Sequence, residues 1–131
     1  LALCKQYGIR LDPLEQKVLK LLHAKTGAAI ARHVYGVDDE VYQAILYHTT
    51  GRANMTLLEK ILYLADYIEP SREFANDPDV VRLRETVYED LDRGLLLGLT
   101  MTVTEMEGMG NPVHHDTLDA RNDLIEKGVT L

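Results

Sequence analysis

Thr56-Leu57-Leu58-Glu59-Lys60-Ile61-Leu62-Tyr63-Leu64-Ala65-Asp66-Tyr67-Ile68-Glu69-Pro70 reads as one helix that is apolar nearly all round. Thr56 and Glu59 have capping-box spacing at its start, and Glu69-Pro70 ends it. A helix with so little polar surface belongs at the centre of a bundle, covered by neighbours. Asp66 is the only acid in its interior once Glu59 is assigned to the cap. A carboxylate among such residues needs a compensating partner, either a basic side chain or a metal ion.

Outward from this stretch, the periodicity stays helical and no segment alternates with period two. Upstream, Asp12-Pro13 opens a helix carrying Leu14, Val18, Leu21 and Leu22, and a second helix covers Ala24 to Tyr35, stopped by Gly36. Asp38 or Asp39 caps a third, on which Val41, Ala44, Ile45 and His48 share one face, and Gly51 closes it. Downstream, residues 71–78 read as a loop, followed by helices near Val80–Tyr88, Asp92–Met106 and Thr117–Lys127. Asp116 or Thr117 is the expected cap of the last one. The expected class is all-α, in a single domain over residues 1–131.

Composition narrows the function classes. The chain is 46% hydrophobic, enough for a real core, yet its longest apolar runs, such as Ile61 to Ala65, are too short to span a membrane. A single cysteine, Cys4, cannot form an internal disulfide and points to the cytoplasm. The net charge of −7 argues against a nucleic-acid polymer as partner, though not against a small anion held by a few local cations.

Two imidazoles stand out beside Asp66. His23 lies where one helix meets the next, and His48 sits on the apolar face of its own helix. Imidazole and carboxylate together suit first-row metals such as iron, manganese or zinc. His23 and His48 are 25 positions apart and His48 and Asp66 are 18 apart, so only convergence of three helices makes them a site. Read singly, each histidine is also a hydrogen-bonded core residue, and Asp66 is also one half of a salt bridge.

The segments Leu22-His23-Ala24-Lys25, Tyr47-His48-Thr49-Thr50-Gly51-Arg52 and Leu64-Ala65-Asp66-Tyr67-Ile68-Glu69-Pro70 with Arg72 resemble the HD-domain phosphohydrolases. Within them, the match is to the symmetrical bis(5′-nucleosyl)-tetraphosphatases, and it continues through Asp90-Leu91-Asp92 and Pro112-Val113-His114-His115-Asp116-Thr117-Leu118. The resemblance implies a helical bundle holding a divalent metal pair, iron first, with manganese or zinc as alternatives. His23 and His48 would bind one ion and Asp66 the other, activating hydroxide for in-line attack on phosphorus. The implied substrate is a dinucleoside tetraphosphate, such as diadenosine tetraphosphate cut to two ADP. Lys25, Arg52 and Arg72 are the candidate cations for its phosphates, with Thr49, Thr50 and Gly51 lining the same stretch. Each is readable as well as an ordinary solvated base or a helix end.

The family pattern also carries a histidine and an adjacent His-Asp pair upstream, and no histidine precedes His23 here. His115-Asp116 is read as a helix start rather than a replacement, and His33 and His114 as surface or packing residues. The resemblance therefore implies that the chain corresponds to roughly the C-terminal two-thirds of the family domain. Alone it is expected to hold metal poorly and hydrolyse little. Its faces near Ile61, Leu64 and Val41 would be uncovered, favouring a homodimer or pairing with the N-terminal segment. The alternatives are an HD enzyme for another nucleotide phosphate ester, or a catalytically silent nucleotide- or protein-binding module.

Overall fold

The Thr56–Glu59 box forms as the sequence predicts. The Glu59 amide donates to Thr56 Oγ1 at 3.2 Å and the Thr56 amide to Glu59 Oε2 at 3.1 Å, opening α5 (Leu57–Ile68). The computed structural model describes residues 1–131, the side chain of Lys20 excepted. Among them are eight α-helices and no strand: α1 (Ala2–Gln6), α2 (Pro13–Lys17), α3 (Leu22–Tyr35), α4 (Asp39–Leu46), α5, α6 (Pro78–Glu89), α7 (Leu91–Gly108) and α8 (His115–Glu126). The class is all-α. No described helix is long and apolar enough to cross a membrane.

The helix expected to run from Pro13 to Leu22 is broken. Val18 leaves helical geometry at φ −114° and ψ 79°, and a 3-10 turn over Leu19–Leu21 leads into α3. Its β-branched side chain gives Val18 little helical preference. α6 starts two residues earlier than read, because Pro78 takes the first helical position and Asp77 caps it from just outside. α8 is capped by His114, not by Asp116 or Thr117: His114 Nδ1 accepts the Asp116 amide at 3.1 Å.

The central helix is α7 rather than α5. Leu95, Leu96, Leu97, Leu99 and Val103 are all buried on α7, whereas α5 leaves Leu57 and Ile61 exposed. α7 packs against α5, α6 and α8, while α3 packs on α4 and α4 on α5. Glycines permit the closeness. A Cβ on Gly94 would lie 2.6 Å from Val87 Cγ2 and 2.8 Å from Val87 Cα, so α6 rides directly on the α7 backbone. Leu64 reaches α7 beside Gly98 and is 1% exposed, so the expected uncovered face keeps Ile61 but not Leu64. Val41 is half-buried.

Candidate metal centre

His23 sits in the first turn of α3, and His48 in the turn that follows α4. The fold brings them together. Their Nε2 atoms are 3.1 Å apart, with ring centroids at 5.0 Å and planes at 74°. Thr49 Oγ1 lies 3.0 Å from His23 Nε2. His48 Nδ1 lies 2.6 Å from the Ile45 carbonyl oxygen at the end of α4, which also accepts the His48 amide at 3.3 Å. A carbonyl can only accept, so Nδ1 carries the proton and Nε2 presents a lone pair. This is the arrangement that orients a metal-binding imidazole. Neighbouring ligands on one ion with metal–nitrogen bonds of ~2.1 Å lie about 3 Å apart. The two imidazoles therefore fit as adjacent donors to one divalent ion.

Asp66 stands apart from them. Its side chain is 49% exposed and ion-paired with Arg72, and it lines a cavity whose walls include neither histidine. The acid that α5 does bury is Glu59, with no exposed surface. Arg52 binds it in a fork, Nε at 2.5 Å from Oε1 and Nη2 at 3.0 Å from Oε2, and stacks 4.6 Å above the Tyr47 ring. Burial pushes the Glu59 carboxyl up, but hydrogen bonds from Arg52 and Thr56 outweigh it and hold it below its usual range.

The remaining predicted residues are engaged within the fold. Lys25 Nζ donates to Glu15 Oε2 at 2.6 Å and to the Arg10 carbonyl at 2.8 Å. Thr50 donates to the Gly51 carbonyl, and its own carbonyl accepts from Thr117 Oγ1 at 2.8 Å. Gly51 takes φ 71° with Leu99 and Ala120 packed against it, a conformation and closeness that suit glycine alone.

A second group of ionisable residues escaped the sequence reading. His114, 7% exposed, has Nε2 at 2.7 Å from Asp12 Oδ2 and 3.6 Å from Glu15 Oε1, and its ring stacks on His115. Ligand atoms of Asp12, His114 and His115 lie within 4.8 Å of one another, as those of His23, His48 and Asp66 do not. The tautomer argues against a metal there. Because Nδ1 accepts the Asp116 amide, the ring proton sits on Nε2, facing Asp12. The contact is short but out of line for a hydrogen bond, so the buried Nε2–H meets the Asp12 carboxylate as a dipole beside a charge. No sequence signal marks it, since Asp12 and His114 are far apart in the chain and histidine ranks low as a cap.

Comparison with known proteins gives these residues a context. Residues 5–71 match the family model of the HD domain. The chain is 46% identical over 107 residues to a symmetrical bis(5′-nucleosyl)-tetraphosphatase of Halalkalibacterium halodurans, and 42% identical over 107 residues to that of Bacillus subtilis. These alignments cover 81% of this chain and 56% of each relative. The chain thus spans little more than half the length of these curated relatives. A crystal structure of a predicted HD superfamily hydrolase involved in NAD metabolism, from Clostridium acetobutylicum, superposes with a TM-score of 0.88 at 42% identity. That match covers 96% of this chain and 66% of the other.

Proposed function

The chain belongs to the HD-domain family, and from that premise we propose that it serves the metal-dependent hydrolysis of dinucleoside tetraphosphates, diadenosine tetraphosphate yielding two ADP. In this reading His23, His48 and Asp66 hold divalent ions, iron first, with manganese or zinc as alternatives. The observation that carries it is the facing pair of Nε2 atoms at 3.1 Å, with His48 locked through Nδ1 to the Ile45 carbonyl. When bound, such ions act as Lewis acids toward a phosphoryl oxygen and make water a nucleophile at neutral pH. The similarity to two tetraphosphatases supports the substrate class.

The residues of this chain divide the remaining work. Thr49, beside His23, offers a hydroxyl at the edge of the centre, with Thr50 and Gly51 following it. Arg52 and Lys25 are each paired with a buried acid, Glu59 and Glu15, so they are held in place rather than free to swing to a phosphate. Arg72 pairs with an acid as exposed as itself, and is the cation most able to turn to a phosphate. Two imidazoles and one distant acid do not complete a two-ion centre. We assign the chain to the C-terminal two-thirds of the family domain, working in the cytoplasm and completed by a further segment or by a second copy.

The test is metal analysis and product analysis together. The chain should bind iron(II) or manganese weakly. His48→Ala should weaken that by at least the ~10–100-fold that loss of a mere supporting partner causes. Supplying the N-terminal segment should yield two ADP from diadenosine tetraphosphate. Unchanged metal affinity in both His23→Ala and His48→Ala, or release of inorganic phosphate instead of ADP, would overturn the reading.

A further inference from the structure

A cavity of about 660 Å³ opens beside the Asp66–Arg72 pair, between the end of α5, the following loop, α6 and α7. Its volume is that of a small-molecule site. Leu97 and Met101 supply an apolar floor, and Tyr67 and Phe74 meet edge-on above it with centroids 6.2 Å apart. Phe74 is 46% exposed, yet the loop presenting it is built. Arg84 reaches back from α6 to the Ile68 carbonyl at 3.1 Å and the Ala75 carbonyl at 3.2 Å, and Ala75 is buried. The walls carry four carboxylates, Asp66, Asp77, Asp79 and Glu105, against two guanidiniums, Arg72 and Arg82.

We propose that this cavity takes the purine base of the nucleotide, stacked on Phe74, with the base amino group donating to the carboxylates of Asp77, Asp79 or Glu105 and the phosphates left at the Asp66–Arg72 mouth. Every base offers a face to an exposed aromatic ring, and ionised carboxylates accept only from donors. A purine presents a ring N–H or amino group, whereas a phosphate chain presents negative oxygens that Asp77, Asp79 and Glu105 repel. Charge therefore sets the direction of entry. The inference rests on the nucleotide reading above but concerns the base, which no metal need touch.

Methyl labelling of the methionines gives a test on this chain, because Met101 lines the cavity while Met55 packs elsewhere in the core. Adenosine, titrated with chelator present, should shift the Met101 methyl saturably and leave Met55 still. Phe74→Ala should weaken binding ~10-fold, and Phe74→Tyr should retain it. Tripolyphosphate should leave Met101 unmoved. No Met101 response to adenosine, a response equal in Phe74→Ala, or a response to tripolyphosphate would overturn the proposal. Hydrolysis without adenosine binding would sink the base pocket alone. Adenosine binding with no ADP formed once metal and the N-terminal segment are supplied would sink the reaction and leave the pocket standing.

Discussion

Glu59 has no exposed surface, and its charge is held by the Arg52 guanidinium and the Thr56 amide. Removing one partner of a buried ion pair leaves the other charge uncompensated. Arg52 is about one-third exposed, so the lower end of the usual range applies. Arg52→Ala should cost about 3 kcal/mol in urea unfolding. The pH dependence follows from the depressed Glu59 carboxyl, which lies below its ordinary 4.5 when folded. Its stabilisation is complete above that value and lost as pH falls through the folded one. Wild type and Arg52→Ala should therefore converge in stability as the solution is acidified below about 4.5. A gap that stays constant would show that packing of the arginine stem, not charge, is responsible. The sequence marks Glu59 as a cap but not as the buried acid. Its ion pair spans seven residues across a turn, which no helical spacing announces. The helical spacing points to Asp66 instead, because the apolar average of α5 hides which face meets water.

Helix α7 carries two glycines four residues apart, Gly94 and Gly98, and they predict opposite outcomes. Alanine favours a helix interior by up to ~1 kcal/mol over glycine, so contact decides the sign. At position 94 a methyl would meet the Val87 backbone at 2.8 Å and 3.0 Å, which no rotamer change relieves. Gly94→Ala should destabilise by about 1–3 kcal/mol as α6 is pushed off α7. At position 98 the nearest atoms are flexible leucine methyls at 3.4–3.7 Å. Gly98→Ala should be neutral or stabilising by up to ~1 kcal/mol. Urea midpoints of the two variants check this, and equal losses would refute the close-approach account. The helices themselves were legible, within a few residues, from caps and apolar spacing. The centrality of α7 was not, because glycine lowers an apolarity score at the places where it permits the tightest packing.

Across the whole molecule, the tie between distant ends is the contact of Asp12 and Glu15 with His114 at the start of α8. Lys25 completes it by holding Glu15, so α2, α3 and α8 meet at one buried cluster beside Thr50. The meeting of His23 and His48 was legible, because imidazoles on apolar helical faces stand out. This cluster was not, since each member looks like an ordinary cap or surface charge until the chain folds back. Asp12 also caps α2, and its carboxyl is held below its usual range: burial opposes this, while the Glu15 amide and then His114 outweigh it. The stabilisation is thus present above the ordinary Asp value of 3.8 and lost as pH falls through the folded one. Asp12→Ala removes the cap and the close contact with His114 together. Because Asp12 is about a quarter exposed, the loss should be about 1 kcal/mol. It should appear locally, as ~5-fold faster amide exchange over residues 1–21, with α5 to α7 unchanged. If exchange rises equally throughout α5 to α7, the N-terminal arm is part of the core's cooperative unit, and the histidine contact is not a separable latch.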